Sequence, residues 1–274
     1  MNDLASHLRS GELLLMDGAM GTELQRRCRM PHLVDLAACN HTEPAIVHEI
    51  HADYLSAGAQ VLLTNTFQAN PETLPPDQLR STWESALALA RNHTQPHFVL
   101  ADVGPVREVT DAFMGMLRSV SSHVDGILLE TWSSATALLQ VAERLEVGTP
   151  LLISFTFRQM GDLKTFAGDS PEVCAGAASA AGALAVGVNC GCDIGFAETI
   201  EIVQRYRKVC DLPIFARPNA GTPIRGKDGW EYEMSAAQFA CGIQSLIEAG
   251  VVMIGGCCGT KPTHIRAIYD EMLK

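Results

Sequence analysis

Eight apolar runs of strand length recur along the chain, each followed by turn residues and then by a segment with helical spacing. That alternation admits very few folds. The runs are Glu12 to Asp17, Val61 to Phe67, Phe98 to Gly104, Gly126 to Thr131, Leu151 to Phe157, Ala183 to Cys190, Pro213 to Asn219 and Val251 to Cys257. Helices are expected at Glu43 to Ser56, Asp77 to Asn92, Val106 to Ser121, Ser134 to Glu146, Pro171 to Ala180, Gly195 to Val209, Ser235 to Glu248 and Lys261 to Leu273. Several carry start signals: Ser170 before Pro171, Asp193 before the sixth helix, Thr260 near Pro262. Strands that are apolar on both faces belong in a parallel sheet covered by helices. Eight strand-helix units in strict order predict an α/β fold, a single (β/α)8 TIM barrel. An open doubly wound sheet is the second reading, but no phosphate-binding glycine turn follows the first strand.

At 274 residues the chain suits one barrel of roughly 250 residues, so 1–274 reads as one domain with no dividing linker or internal repeat. Hydrophobic residues make up 47% and charged residues 19%, enough apolar material for a core and no signature of disorder. A net charge of -11 argues against a nucleic-acid partner or an anionic membrane surface. The N-terminus lacks a basic segment followed by an apolar core, and no apolar run reaches the roughly 18 residues of a membrane helix. Nine cysteines, an odd number, fit reduced thiols better than a secreted disulfide framework. The expected location is cytoplasmic.

In such a barrel the chemistry sits at the C-terminal ends of the strands, so residues far apart in sequence converge on one rim. Asp17, Thr66, Phe67, Glu130, Cys190, Cys257 and Cys258 all fall there. The two long connections, Gly18 to Thr42 and Ala220 to Met234, open on the same end. The stretch Ile254-Gly255-Gly256-Cys257-Cys258-Gly259-Thr260 places adjacent cysteines among glycines. Thiolates are soft ligands suited to zinc, and two from one turn need a third, for which Cys190 is the first candidate and Cys192 the second. Three protein ligands leave a fourth position open, the pattern of a catalytic zinc. A substrate thiol bound there is held as thiolate at neutral pH. Zinc with three cysteine thiolates is already formally -1, which favours a sulfur nucleophile attacking carbon over activation of water.

Asp17 and Glu130 are carboxylates on the same rim. They suit the ammonium group of an amino acid, with backbone amides of Gly18 and Ala19 placed for its carboxylate. His48 and His51 stand three apart on an outer helix, not four as in a zinc-protease helix, and read as surface or packing residues. Leu87, Ala90, Leu138 and Val141 read as helix-to-barrel contacts.

These pieces resemble the homocysteine S-methyltransferases, including the homocysteine-binding module of cobalamin-dependent methionine synthase and the betaine-homocysteine methyltransferases. The resemblance rests on Met16-Asp17-Gly18-Ala19-Met20-Gly21-Thr22, Leu63-Thr64-Asn65-Thr66-Phe67-Gln68-Ala69-Asn70, Ala101-Asp102-Val103-Gly104-Pro105, Leu128-Leu129-Glu130-Thr131, Gly187-Val188-Asn189-Cys190, Pro218-Asn219-Ala220-Gly221 and Gly255-Gly256-Cys257-Cys258-Gly259-Thr260. It implies a zinc barrel that methylates homocysteine to methionine, with Cys190, Cys257 and Cys258 as metal ligands. Asp17, Gly18, Ala19, Thr66, Phe67, Glu130 and Asn189 are then the substrate-binding candidates, and the bound substrate thiolate is itself the nucleophile. Cobalamin- and folate-binding modules are absent from the sequence. The donor is expected to carry an activated methyl, on a sulfonium, a quaternary ammonium or a methyl corrinoid. Two other readings are a subunit that works only with a separate methyl-corrinoid protein and a thiol- or zinc-binding protein without chemistry.

Overall fold

The computed structural model of the chain describes residues 3–28, 35–145, 148, 150–226 and 229–273. Its eight-stranded parallel sheet runs in the order of the sequence: Leu14–Leu15, Val61–Leu63, Phe98–Val103, Gly126–Trp132, Leu151–Phe155, Ala185–Asn189, Ile214–Arg217 and Met253–Ile254. The last strand pairs with the first, Leu14 against Met253, and Met16 bridges to Val61. The sheet therefore closes on itself as a (β/α)8 TIM barrel. Closure removes both edges, which otherwise expose unpaired backbone groups.

Eight helices lie outside the barrel: Pro44–Ser56, Pro76–Arg91, Asp111–Ser121, Ala135–Arg144, Pro171–Ala180, Phe196–Arg207, Ala236–Glu248 and Pro262–Met272. Their starts follow local chemistry. Ser134, Ser170 and Ser235 each accept a backbone N–H of the first turn, and prolines occupy the first turns of Pro171–Ala180 and Pro262–Met272. The third of these helices begins at Asp111 and not at Val106, because Thr110 caps it while Glu72 accepts the backbone N–H groups of Arg107 and Glu108 and holds them in the preceding loop. Glu146, the expected end of the fourth, lies outside the described residues. Ala90, Leu138 and Val141 are buried against the barrel.

Inside the barrel, Leu14, Met16, Val61, Leu63, Leu100, Leu128, Leu152, Ala185, Phe215 and Met253 form an apolar cluster together with Leu4 and Leu8. Leu4 and Leu8 come from a short helix, Leu4–Ser10, which Asp3 caps and Gly11 ends at a φ of 76°. Three features were not expected from the sequence. They are this helix, the helices Met20–Cys28 and Cys39–Thr42 inside the first long connection, and two hairpins, Arg158–Met160 with Asp162–Lys164 and Ile224–Gly226 with Gly229–Glu231. Among the described residues no helix is long and apolar enough to cross a membrane.

Candidate active site

The strand ends bring Asp17, Asp102, Glu130, Cys190, Arg217, Cys257 and Cys258 around one cavity of about 360 Å³. Backbone hydrogen bonds fix the floor. Gly256 N–H donates to Asp17 O at 3.0 Å, Cys257 N–H to Pro218 O at 2.8 Å, and Ala220 N–H to Cys258 O at 3.0 Å. The turn after the eighth strand is thereby tied to the first and seventh strands.

The three thiols lie together. Cys190 Sγ is 3.0 Å from Cys257 Sγ and 3.5 Å from Cys258 Sγ, and the adjacent cysteines are 4.0 Å apart. Among the described residues they are the group of side chains that could hold a metal ion. Sulfurs bound tetrahedrally to zinc at about 2.3 Å stand roughly 3.8 Å apart, so the donor set and its spacing fit such an ion. Cys190 takes a left-handed backbone at φ 49°, a strained conformation for a non-glycine residue that aims its thiol at the other two. Its S–H donates to Asn219 Oδ1 at 3.1 Å. Hydrogen bonds from Cys190 and Cys257 pull the Cys258 thiol well below its ordinary pKa, whereas the contacts with Cys257 and Cys258 push Cys190 well above. One thiolate can thus be shared among the three; ionising all of them requires a cation. Cys192, the second candidate ligand, is exposed beside Asp193 and outside the cluster.

Next to the sulfurs is a buried charge network. Arg217 Nη2 donates to Asp17 Oδ1 at 3.0 Å and to Gly18 O at 3.3 Å, and Arg217 Nη1 donates to Glu130. Asp17 Oδ2 also accepts Leu63 N–H at 2.8 Å. Asp102 is buried nearby, with its Oδ1 unpartnered. Burial, opposed by Arg217, raises both Asp17 and Glu130 to a pKa of about 7, and burial next to Glu130 raises Asp102 well above the carboxylate range. Burial works against the Arg217 charge, but Glu130 and Asp17 hold it more firmly than in water. Three carboxyl groups share one guanidinium and burial favours their protonated forms, so a cationic group entering the cavity would shift them toward the ionised form.

The sequence-derived substrate-binding candidates divide into two groups. Gly18, Ala19 and Phe67 line the cavity with Asp17 and Glu130. The Ala19 N–H is already committed to Thr260 Oγ1 at 3.0 Å, which makes it unavailable to a carboxylate. The neighbouring Met20 and Gly21, in the first turn of helix Met20–Cys28, also line the wall, so the N-terminus of that helix borders the cavity. Thr66 and Asn189 stand behind the wall. Thr66 Oγ1 donates to Asp102 O at 2.8 Å. Asn189 Nδ2 donates to Thr131 Oγ1 at 2.8 Å, while its Oδ1 accepts from Thr131 N–H and Ser154 Oγ. Both residues position neighbours and are not in the cavity wall. Sequence reasoning missed Arg217, Asp102 and Tyr232; for Arg217 the signal was a charge at the end of the apolar run Ile214-Phe215-Ala216. His51, expected to pack or lie at the surface, is fully buried, and His48 stacks on His93 at 4.4 Å.

The model of the family described as Homocysteine S-methyltransferase matches residues 14–272. Methionine synthase of Mycobacterium leprae (strain TN) is 29% identical over 296 residues, covering 93% of this chain, and that of Mycobacterium tuberculosis (strain ATCC 25618 / H37Rv) is 28% identical over 298 residues, covering 94%. The chain spans 24% of the length of either relative. Among solved structures, the metallated form of the homocysteine methyltransferase MmuM from Escherichia coli superposes with a TM-score of 0.77 at 25% identity, over 98% of this chain and 100% of that one.

Proposed function

The chain belongs to the homocysteine S-methyltransferase family, and from that premise we propose that it is a zinc-dependent enzyme that methylates the thiolate of homocysteine to give methionine. The observation that carries this reading is the meeting of three thiols, 3.0 to 4.0 Å apart, with a buried acidic network in one cavity. The thiols would hold zinc through Cys190, Cys257 and Cys258, and the metal would supply a low pKa for a fourth, substrate thiol. The structural likeness to a metallated homocysteine methyltransferase supports the same reading.

The protein's own residues bind the rest of the amino acid. Glu130 and Asp102 face the cavity with pKa values that burial has raised, and the substrate ammonium would favour their ionised forms and pair with them. Asp17 is saturated by Arg217 and Leu63 N–H; its part is to hold the guanidinium in place. The first turn of helix Met20–Cys28 offers N–H groups to the substrate carboxylate. Three reduced thiols gathered in one site suit a reducing compartment, which supports the cytoplasm as the protein's location.

Purified, zinc-loaded protein should bind about one zinc per chain and form methionine from homocysteine with an activated methyl donor. A variant with Cys257→Ala that lacks zinc yet keeps full activity would sink the assignment. The likeness to methionine synthases supports one second reading: a homocysteine-activating unit that turns over only with a methyl-corrinoid protein.

A further inference from the structure

The fourth strand, Gly126–Trp132, changes phase at its C-terminal end. Leu128 packs in the barrel interior, whereas Ile127 and Leu129 belong to the outer layer, as the alternation of a strand requires. Continued alternation would send Glu130 and Trp132 inward together. Instead Leu129 pairs with Ile153 and Trp132 with Phe155, so this strand holds one residue more than the fifth between those pairs, a β-bulge. Glu130 and Thr131, adjacent in sequence, therefore both line the cavity, while Trp132 turns outward onto Phe113.

The bulge carries a strained backbone. Thr131 has a φ of 63°, a left-handed conformation that is a genuine outlier for a β-branched residue and persists only where the surroundings impose it. Asn189, at the end of the sixth strand, imposes it across the intervening fifth strand. Its Oδ1 accepts Thr131 N–H at 3.2 Å and the hydroxyl of Ser154, and its Nδ2 donates to Thr131 Oγ1 at 2.8 Å. The same Nδ2 stands 3.9 Å from Cys257 Sγ. Asn189 and Ser154 are buried, so water does not compete for these bonds. Cys190 follows Asn189 directly and is left-handed itself, at a φ of 49°. One amide thus joins two strained turns, Glu130-Thr131 and Asn189-Cys190, the first presenting a carboxyl group and the second a thiol.

A substrate held at both turns, its ammonium at Glu130 and its sulfur at the thiols, has to match the separation that this link fixes. Cysteine is one methylene shorter than homocysteine, so a fixed separation fits only one of them at both ends. We propose that Thr131 and Asn189 are positioning residues that set the length of the thiol amino acid accepted, selecting homocysteine over cysteine. This inference rests on the homocysteine-methylating reading of the same site. Neither residue takes part in the transfer; they act through Glu130 and Cys190, their neighbours in the chain. A purely structural clamp would change stability when broken and leave the preference between the two amino acids where it was.

The test compares zinc-loaded wild type, Thr131→Val and Thr131→Ser by calorimetric affinity for L-homocysteine and L-cysteine, with zinc content and circular dichroism alongside. Valine keeps the shape of the side chain and removes the hydroxyl that Asn189 holds; serine keeps the hydroxyl. Wild type should bind homocysteine about tenfold or more tightly than cysteine, the scale of one methylene in a fitted site. Thr131→Val should bring the two affinities within about threefold, chiefly by weakening homocysteine, with zinc content unchanged. Thr131→Ser should keep the wild-type preference. If Thr131→Val does not fold, Thr131→Ala makes the same comparison. An unchanged preference in the folded variant without the hydroxyl overturns the proposal. So does a wild type that binds both amino acids equally, and both results leave recognition of a thiol amino acid standing. Failure of wild type to bind homocysteine at all overturns this inference together with the reading beneath it.

Discussion

The two ends of the barrel are built from the same strands and differ in what those strands point inward. At the N-terminal end Leu14, Leu128, Leu152, Phe215 and Met253 close on Leu4 and Leu8 of the first helix, and the interior is apolar. A few residues further along, the interior holds Asp17, Asp102, Glu130 and Arg217, each under 10% exposed, with the thiols beside them. The apolar end gains stability by removing hydrocarbon from water. The charged end works against stability: Asp17 and Glu130 keep their protons up to about pH 7, so the unfolded chain releases protons first as pH rises from about 4, and this part of the stability falls until about pH 7. The first end is the support; the second spends that stability on a site poised for a cation and an amino acid.

Replacing residues at each end should separate the two roles. Cys257→Ala should give the largest effect, removing bound zinc and lowering methionine formation by roughly a thousandfold or more, with the fold retained by circular dichroism. Arg217→Met leaves buried carboxylates unpaired and should cost about 3–5 kcal/mol in urea unfolding while also abolishing homocysteine binding. Leu8→Ala, at the opposite end, should cost about 2–4 kcal/mol in the same assay and leave the KM for homocysteine unchanged. A shifted KM there would show that the plug and the site are not separable. The smallest effect concerns neither end. His51 is buried against His93, His48 and His97 on the outer layer, and burial, with those rings, depresses its pKa to about 3. The unfolded chain takes up the proton first as pH falls below 6.5, so stability should drop by about 1.4 kcal/mol per pH unit from there toward pH 3. Urea midpoints at pH 7.5 and 5.5 for wild type and His51→Phe check this, the variant losing less.

The barrel was legible because its strands are covered on both faces, so each reads as a continuous apolar run, and because Ser170 marks a helix start, whereas Gly195 and Lys261, not Asp193 and Thr260, occupy the caps of the helices that follow them. The thiols were legible because Cys257 and Cys258 sit among glycines that follow such a run. Strand ends were read too long: the run from Glu12 to Asp17 pairs only at Leu14–Leu15, with Met16 as an isolated bridge. The backbone of Asp17 and of the thiol turn is instead spent on cross-barrel bonds. Arg217 escaped notice because its partners, Asp17 and Glu130, lie 200 and 87 residues away in the chain. Its charge looked like a strand ending and not like the counter-ion that it is. The helix Leu4–Ser10 had its cap in Asp3 and its stop in Gly11, but seven residues are too few for a periodic signal. The hairpin carrying Trp230 has strands of three residues each, too short for an alternating signal.

The most direct test of the thiol site is X-ray absorption at the zinc edge of the loaded protein, recorded with and without homocysteine. Three sulfur neighbours at about 2.3 Å, rising to four when homocysteine is added, is the expected result. Zinc ligated mainly by nitrogen or oxygen, or a sulfur count that homocysteine leaves unchanged, would contradict it.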